Sequence, residues 1–302
     1  MAGQGGRHKR SAALLSLALA GCDTPSVPDD QMADAPAEVS RANGEQVFWA
    51  GGCASCHASE GELTAERPAL GGGREIETVY GTFTPPNISP DRTAGIGGWT
   101  LDEFDRAMRG GTAPDGHTYF PAFPYPSYAR MTPQDISDLY AFLQTLPEVS
   151  RGAGGNDLAF PVSLPGTARL WQRANFRPGP AVALTETSPE VARGQYLVDG
   201  PGHCATCHTP RNALGGFRRN RWLAGAELLD GGGYAPNLTP HSDGLGGRSA
   251  EDVLDALHPL GPPEDTDTGM TAARVNLAHL PESDRRAIVA YLMALPPVAS
   301  DF

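Results

Sequence analysis

Apolar residues recur at helical intervals in two well-separated segments. In "MTPQDISDLYAFLQTLP", Ile136, Leu139, Tyr140 and Leu143 fall on one face of a 3.6-residue period. In "LPESDRRAIVAYLMALP", Ile288, Tyr291 and Leu292 do the same. Each segment opens with helix-start chemistry: Thr132 before Pro133 supplies an N-cap and a first helical residue, and Pro281 is followed by acids. Two amphipathic helices are predicted, one closing each half of the chain. A third apolar run, "SAALLSLALA", is only ten residues long, too short to span a bilayer stably.

The halves match beyond these helices. "GEQVFWAGGCASCH" parallels "GQYLVDGPGHCATCH", and "PNISPDRTAGIGGWTLDEFDRAM" parallels "PNLTPHSDGLGGRSAEDVLDAL". A tandem duplication of one mostly helical unit follows, with domains at 43–150 and 189–302. Residues 151–188 lack strong periodicity, contain four prolines and read as a linker. Residues 23–42 read as a flexible tether. Gly 37 and Pro 28 in 302 residues predict long loops between short helices. The hydrophobic (40%) and charged (19%) fractions are those of an ordinary globular protein. A net charge of −12 without basic stripes argues against a nucleic-acid partner.

Residues 1–22 have the make-up of an export signal: Arg7, Lys9 and Arg10, then the apolar run, then "LAGC" ending at Cys22. This tetrapeptide resembles a bacterial lipoprotein signal, which implies a lipidated Cys22 and a chain held at the periplasmic face of the inner membrane, with Asp23 as a retention signal. A plain secretory signal is the alternative. Removing 1–22 takes away three basic residues and no acid, so the net charge moves from −12 to −15. Such an acidic body favours a partner with a basic docking patch.

The other four cysteines form two copies of C-x-x-C-H: Cys53, Cys56 and His57, then Cys204, Cys207 and His208. Cysteines three apart on a helical turn project to the same side and can add across the two vinyl groups of a haem, while the next imidazole reaches the iron. A zinc site or a disulfide framework would not require a histidine after each pair. The pattern predicts two covalently bound haem c groups and leaves no free thiol.

"CASCH", "RPALGGG", "PNISPDRTAGIGGW", "YFPAFPYPSYARMT", "GPGHCATCHTPRNALGG" and "AYLMALP" carry a resemblance, from about residue 43 onward, to dihaem class I cytochromes c related to the cytochrome subunits of membrane-bound alcohol and gluconate dehydrogenases. Those subunits usually carry three haem motifs, and this chain has two. The resemblance implies two tandem, mostly α cytochrome c domains, an electron-transfer role without catalysis, a dehydrogenase donor and a cytochrome or oxidase acceptor. It also implies a distal methionine on each iron. Met270 is the candidate in the second half, being the only methionine between His208 and the closing helix; Met293 lies inside that helix.

In the first half related sequences often read "YPAMPY", and here Phe123 occupies the methionine position. Met131 is the candidate, with His117 or an open iron as alternatives; Met108 reads as a packing residue. An open iron would favour a dihaem peroxidase or other haem oxidoreductase, or a gas-binding module. Among supporting residues, Pro68 resembles the proline whose carbonyl receives the axial histidine's second N–H, with no clear counterpart beside Trp222 and Leu223. Asn87 and Asn237 resemble residues that order the loop over the haem edge. His203 is either a propionate partner or an exposed neighbour, and Trp99 is expected to pack against haem or core.

Overall fold

The computed structural model describes residues 1, 38–59, 61–184, 187–259 and 269–301. The leader, Cys22 and most of the tether lie outside the described residues. The helices are α1 (Arg41–Ala50), α2 (Cys53–His57), α3 (Leu101–Gly110), α4 (Tyr125–Tyr128), α5 (Pro133–Leu143), α6 (Thr167–Asn175), α7 (Pro189–Asp199), α8 (Ala205–His208), α9 (Ala250–Ala256), α10 (Gly269–Ala278) and α11 (Glu282–Ala294). Short strands β1 (Ile76–Thr78), β2 (Gly81–Phe83) and β3 (Asp157–Leu158) form one antiparallel sheet; β4 (Ala226–Glu227) and β5 (Tyr234–Ala235) form another. The architecture is mostly helical with long loops, and α1, α2, α3 and α5 of one half answer to α7, α8, α9 and α11 of the other.

The duplication extends to local chemistry. Thr100 and Ser249 begin α3 and α9 with reciprocal capping boxes to Glu103 and Asp252. Thr132 caps α5 ahead of Pro133, as its sequence predicts, while Pro281 begins α11 without a side-chain cap. In each half the first helix crosses the closing helix at a glycine. A Cβ on Gly44 would lie 2.0 Å from the Asp138 carbonyl oxygen, and one on Gly194 would lie 1.8 Å from that of Ala287. Only a residue without a side chain lets the backbones approach so closely. Around the first crossing, Phe48, Ile136, Leu139 and Leu143 are buried; around the second, Leu197, Val198, Ile288 and Leu292 are.

Residues 151–184 are more structured than their sequence suggests. β3 pairs with β2, and α6 docks on the first half, with Gln172 Nε2 donating to the Gly110 carbonyl (2.8 Å) and Phe176 packed on Tyr125. The buried residues of α6 are Ala168 and Gln172, one small and one polar, so no apolar stripe announced the helix.

The halves are joined by specific contacts. Trp49 of α1 stacks on His279 (3.7 Å between ring centres, 5° between planes). Arg130 donates to the Asp199 carbonyl (3.1 Å) and lies over the Trp222 ring. The Tyr196 hydroxyl donates to Asp135 across the same junction. Among the described residues no helix is long and apolar enough to cross a membrane.

Candidate haem sites

Each C-x-x-C-H motif forms a single helical turn. Cys53, Cys56 and His57 lie on α2; Cys204 is the residue before α8, which carries Cys207 and His208. All four cysteines are free of disulfides, and among the described residues no three His, Cys, Asp or Glu side chains gather as a metal-binding group. Burial pushes the Cys53 and Cys204 thiols up to about 12, helped by the neighbouring Cys56 thiol in the first case and by Asp199 and Cys207 in the second, so neither is a thiolate nucleophile.

The two histidines are held alike. His57 Nδ1 is 2.8 Å from the Pro86 carbonyl oxygen, and His208 Nδ1 is 2.8 Å from that of Pro236. A carbonyl only accepts, so Nδ1 carries the proton and Nε2 the lone pair. Burial lowers the pKa of both rings despite the opposing pull of these hydrogen bonds, which keeps them neutral and fit to ligate iron. The backbone repeats as well: the His57 carbonyl accepts from Gly72 N–H and the His208 carbonyl from Gly225 N–H, both at 2.9 Å. The donor set suits haem c: two sulfurs one helical turn apart, followed by an imidazole of fixed tautomer.

The acceptor for His57 is thus Pro86, not Pro68. Both acceptors are the prolines of the matched "PN" loops, and the asparagines that follow pin those loops. Asn87 Nδ2 donates to the carbonyls of Val149 (2.6 Å) and Arg151 (2.8 Å), and Asn237 Nδ2 to that of Val298 (2.7 Å). Each Oδ1 accepts a backbone N–H two residues on, from Ser89 and Thr239.

The methionines fall as follows. Met131 is 3% exposed and belongs to the apolar cluster that Cys53, Phe123 and Trp99 pack against. Met270, on the first turn of α10, is partly buried and packs on the second cluster alongside Cys204. Met108 is buried in α3, and Met293 packs on the second cluster from α11. His117 is at the surface, its side chain 57% exposed and its Nδ1 2.6 Å from Asp115. Tyr128, from the Pro- and aromatic-rich loop, is buried and donates to the Gly51 carbonyl (2.8 Å). His203 is not an exposed neighbour: its Nε2 lies 3.2 Å from that same carbonyl oxygen.

The cytochrome c family model matches residues 41–147 and again 191–296. The chain belongs to the cytochrome c family. A dihaem cytochrome c-type protein of Cereibacter sphaeroides is 46% identical over 264 residues, 86% of this chain and 87% of that one. The cytochrome c subunit of a quinone-dependent alcohol dehydrogenase of Gluconobacter oxydans is 38% identical over 84% of this chain, and that of a gluconate 2-dehydrogenase of Pantoea cypripedii 35% over 93%. This cytochrome covers most of the Cereibacter protein's length, but only 54% and 64% of the two dehydrogenase subunits. It is a two-domain class I cytochrome c with two covalently bound haem c groups, and its work is electron transfer.

Proposed function

We propose that this cytochrome carries single electrons in series through two six-coordinate haems, from a membrane or periplasmic dehydrogenase to a downstream cytochrome or oxidase. Cys53 and Cys56 would hold one haem and Cys204 and Cys207 the other; His57 and Met131 would ligate the first iron, and His208 and Met270 the second. The observation that carries the reading is the repeated site: in each half a neutral histidine locked by a proline carbonyl accompanies a methionine packed in the same apolar cluster as a haem cysteine.

Haem supplies reversible one-electron chemistry. The chain supplies the rest. Apolar packing around each motif excludes water, the Nδ1 hydrogen bonds fix ring orientation and ligand basicity, and neutral thioether sulfur favours reduced iron and a raised potential. The dehydrogenase donor is supported by the relatives, which are named as cytochrome subunits of alcohol and gluconate dehydrogenases. Domains at 43–150 and 189–302, a lipid on Cys22 and a place at the periplasmic face of the inner membrane complete the proposal.

The test is the far-red methionine-to-iron absorption band of oxidised Met131→Ala and Met270→Ala proteins, with carbon monoxide added after reduction. Each variant is expected to lose one such band and to gain carbon monoxide binding that the parent lacks. Carbon monoxide binding by the parent at one haem, unchanged in Met131→Ala, would leave an open first iron and move the peroxidase-like reading ahead.

A further inference from the structure

The residue just before the first cysteine of each motif adopts a left-handed backbone. In the first half it is Gly52, with φ 60°; in the second it is His203, with φ 37°. Left-handed backbone suits glycine and strains residues that carry a Cβ. Glycine therefore meets the local need, and a histidine there must gain something from its side chain.

What it gains is a contact with the other half. His203 is covalently next to Cys204, and its Nε2 lies 3.2 Å from the carbonyl oxygen of Gly51, two residues before Cys53. Tyr128 donates to the same oxygen at 2.8 Å and sets its ring edge-to-face against the imidazole, 5.7 Å away. A second tie runs alongside: Asn276 Nδ2, on the helix that carries Met270, donates to Ser55 Oγ (2.6 Å), between the two cysteines of the first motif.

We propose that His203 is a positioning residue for electron passage between the two haems, its Nε2–H donating to Gly51 to join the two attachment segments by a single hydrogen bond. The inference rests on the serial electron-transfer reading and on haem attachment at Cys53 and Cys204. The step moves one electron, oxidising one iron and reducing the other, with no proton or further reactant. A route of covalent bonds interrupted by one hydrogen bond couples two centres better than a gap does, and the same bond holds their separation constant.

The test uses the full dihaem protein and its His203→Gly variant, which gives the second half the residue the first half already has and so relieves strain. Internal electron equilibration is followed after rapid one-electron reduction, together with haem spectra, melting temperature, and 15N NMR of the His203 ring in the reduced, diamagnetic state. The expected result is an Nε2 proton hydrogen-bonded in the parent, a severalfold slower inter-haem phase in the variant, and unchanged haem spectra and melting temperature. An unchanged inter-haem rate, an Nε2 without a proton, or a slowing accompanied by altered haem spectra or a lower melting temperature would each overturn the inference. A parent that shows no inter-haem phase would overturn the serial reading too, which separates the two failures.

Discussion

At the scale of single residues, the side chains that hold each site do so through backbone carbonyls. Asn87 is 5% exposed and Asn237 2%, and each ties the loop carrying the histidine's acceptor to the segment that follows the closing helix. Replacing Asn87 by alanine strands the carbonyls of Val149 and Arg151 and the N–H of Ser89. The expected cost is about 1–3 kcal/mol, most of it from the buried Ser89 N–H, since Arg151 is exposed and water can replace the asparagine at its carbonyl. Asn237→Ala is expected to cost about as much, and the two to add in the double variant, since they lie in different halves and share no partner. Denaturant unfolding of the holoprotein measures all three; a loss below about 0.5 kcal/mol for either single variant, the range of ordinary surface changes, would remove the pinning role. The two C-x-x-C-H motifs were legible because thioether attachment demands a fixed spacing of particular residue types. The acceptor was not: a carbonyl belongs to every residue, so counting from His57 pointed to Pro68, whereas the chain path delivers Pro86.

At the scale of elements, the helix crossings are the joints on which each half is built. A methyl group normally stabilises a helix by about 1 kcal/mol over glycine. At Gly44 it would meet the Asp138 carbonyl at 2.0 Å and at Gly194 the Ala287 carbonyl at 1.8 Å, far inside van der Waals contact. Overpacking should win there, so Gly44→Ala and Gly194→Ala are each expected to destabilise by about 3 kcal/mol, the upper range for an overfilled core. Gly110, at the end of α3, has nothing within 4 Å of an added Cβ, and Gly110→Ala should be neutral or mildly stabilising. Thermal unfolding of the three proteins checks the contrast in sign; equal effects would mean that helix propensity, not backbone approach, governs these positions. The closing helices α5 and α11 were readable because most of the residues they bury are apolar and recur at helical spacing, although Ser137, Asp138 and Asp284 are buried with them. Helix α6 was not, because tertiary contact buries Gln172 and Ala168 where a stripe of leucines would have announced it.

At the scale of the whole molecule, the sequence revealed two copies of one domain but not how they meet. Among the contacts that join them, some link residues 152 apart (Gly51 and His203) and 221 apart (Ser55 and Asn276), beyond the reach of any local pattern. Net charge, by contrast, is read directly from the chain and has a consequence at this scale. Around residues 218–221 the surface is locally basic, since Arg218 and Arg221 share the single carboxylate of Asp301 and Arg219 donates only to the neutral carbonyls of Gly179 and Pro180, so the acidic excess behind the net −12 lies elsewhere on the molecule. An acidic field of this size attracts cations in dilute salt and is screened as the Debye length falls from about 10 Å at 0.1 M to about 3 Å at 1 M. A small cationic one-electron reagent should therefore exchange electrons with the reduced or oxidised protein faster than an anionic reagent of matched potential, and the advantage should shrink steadily as salt is added. Stopped-flow rates over that range decide it. A cationic reagent that gains nothing at low salt would mean that the charge lies away from the haem edges, and a basic patch on the partner would then have no part in docking.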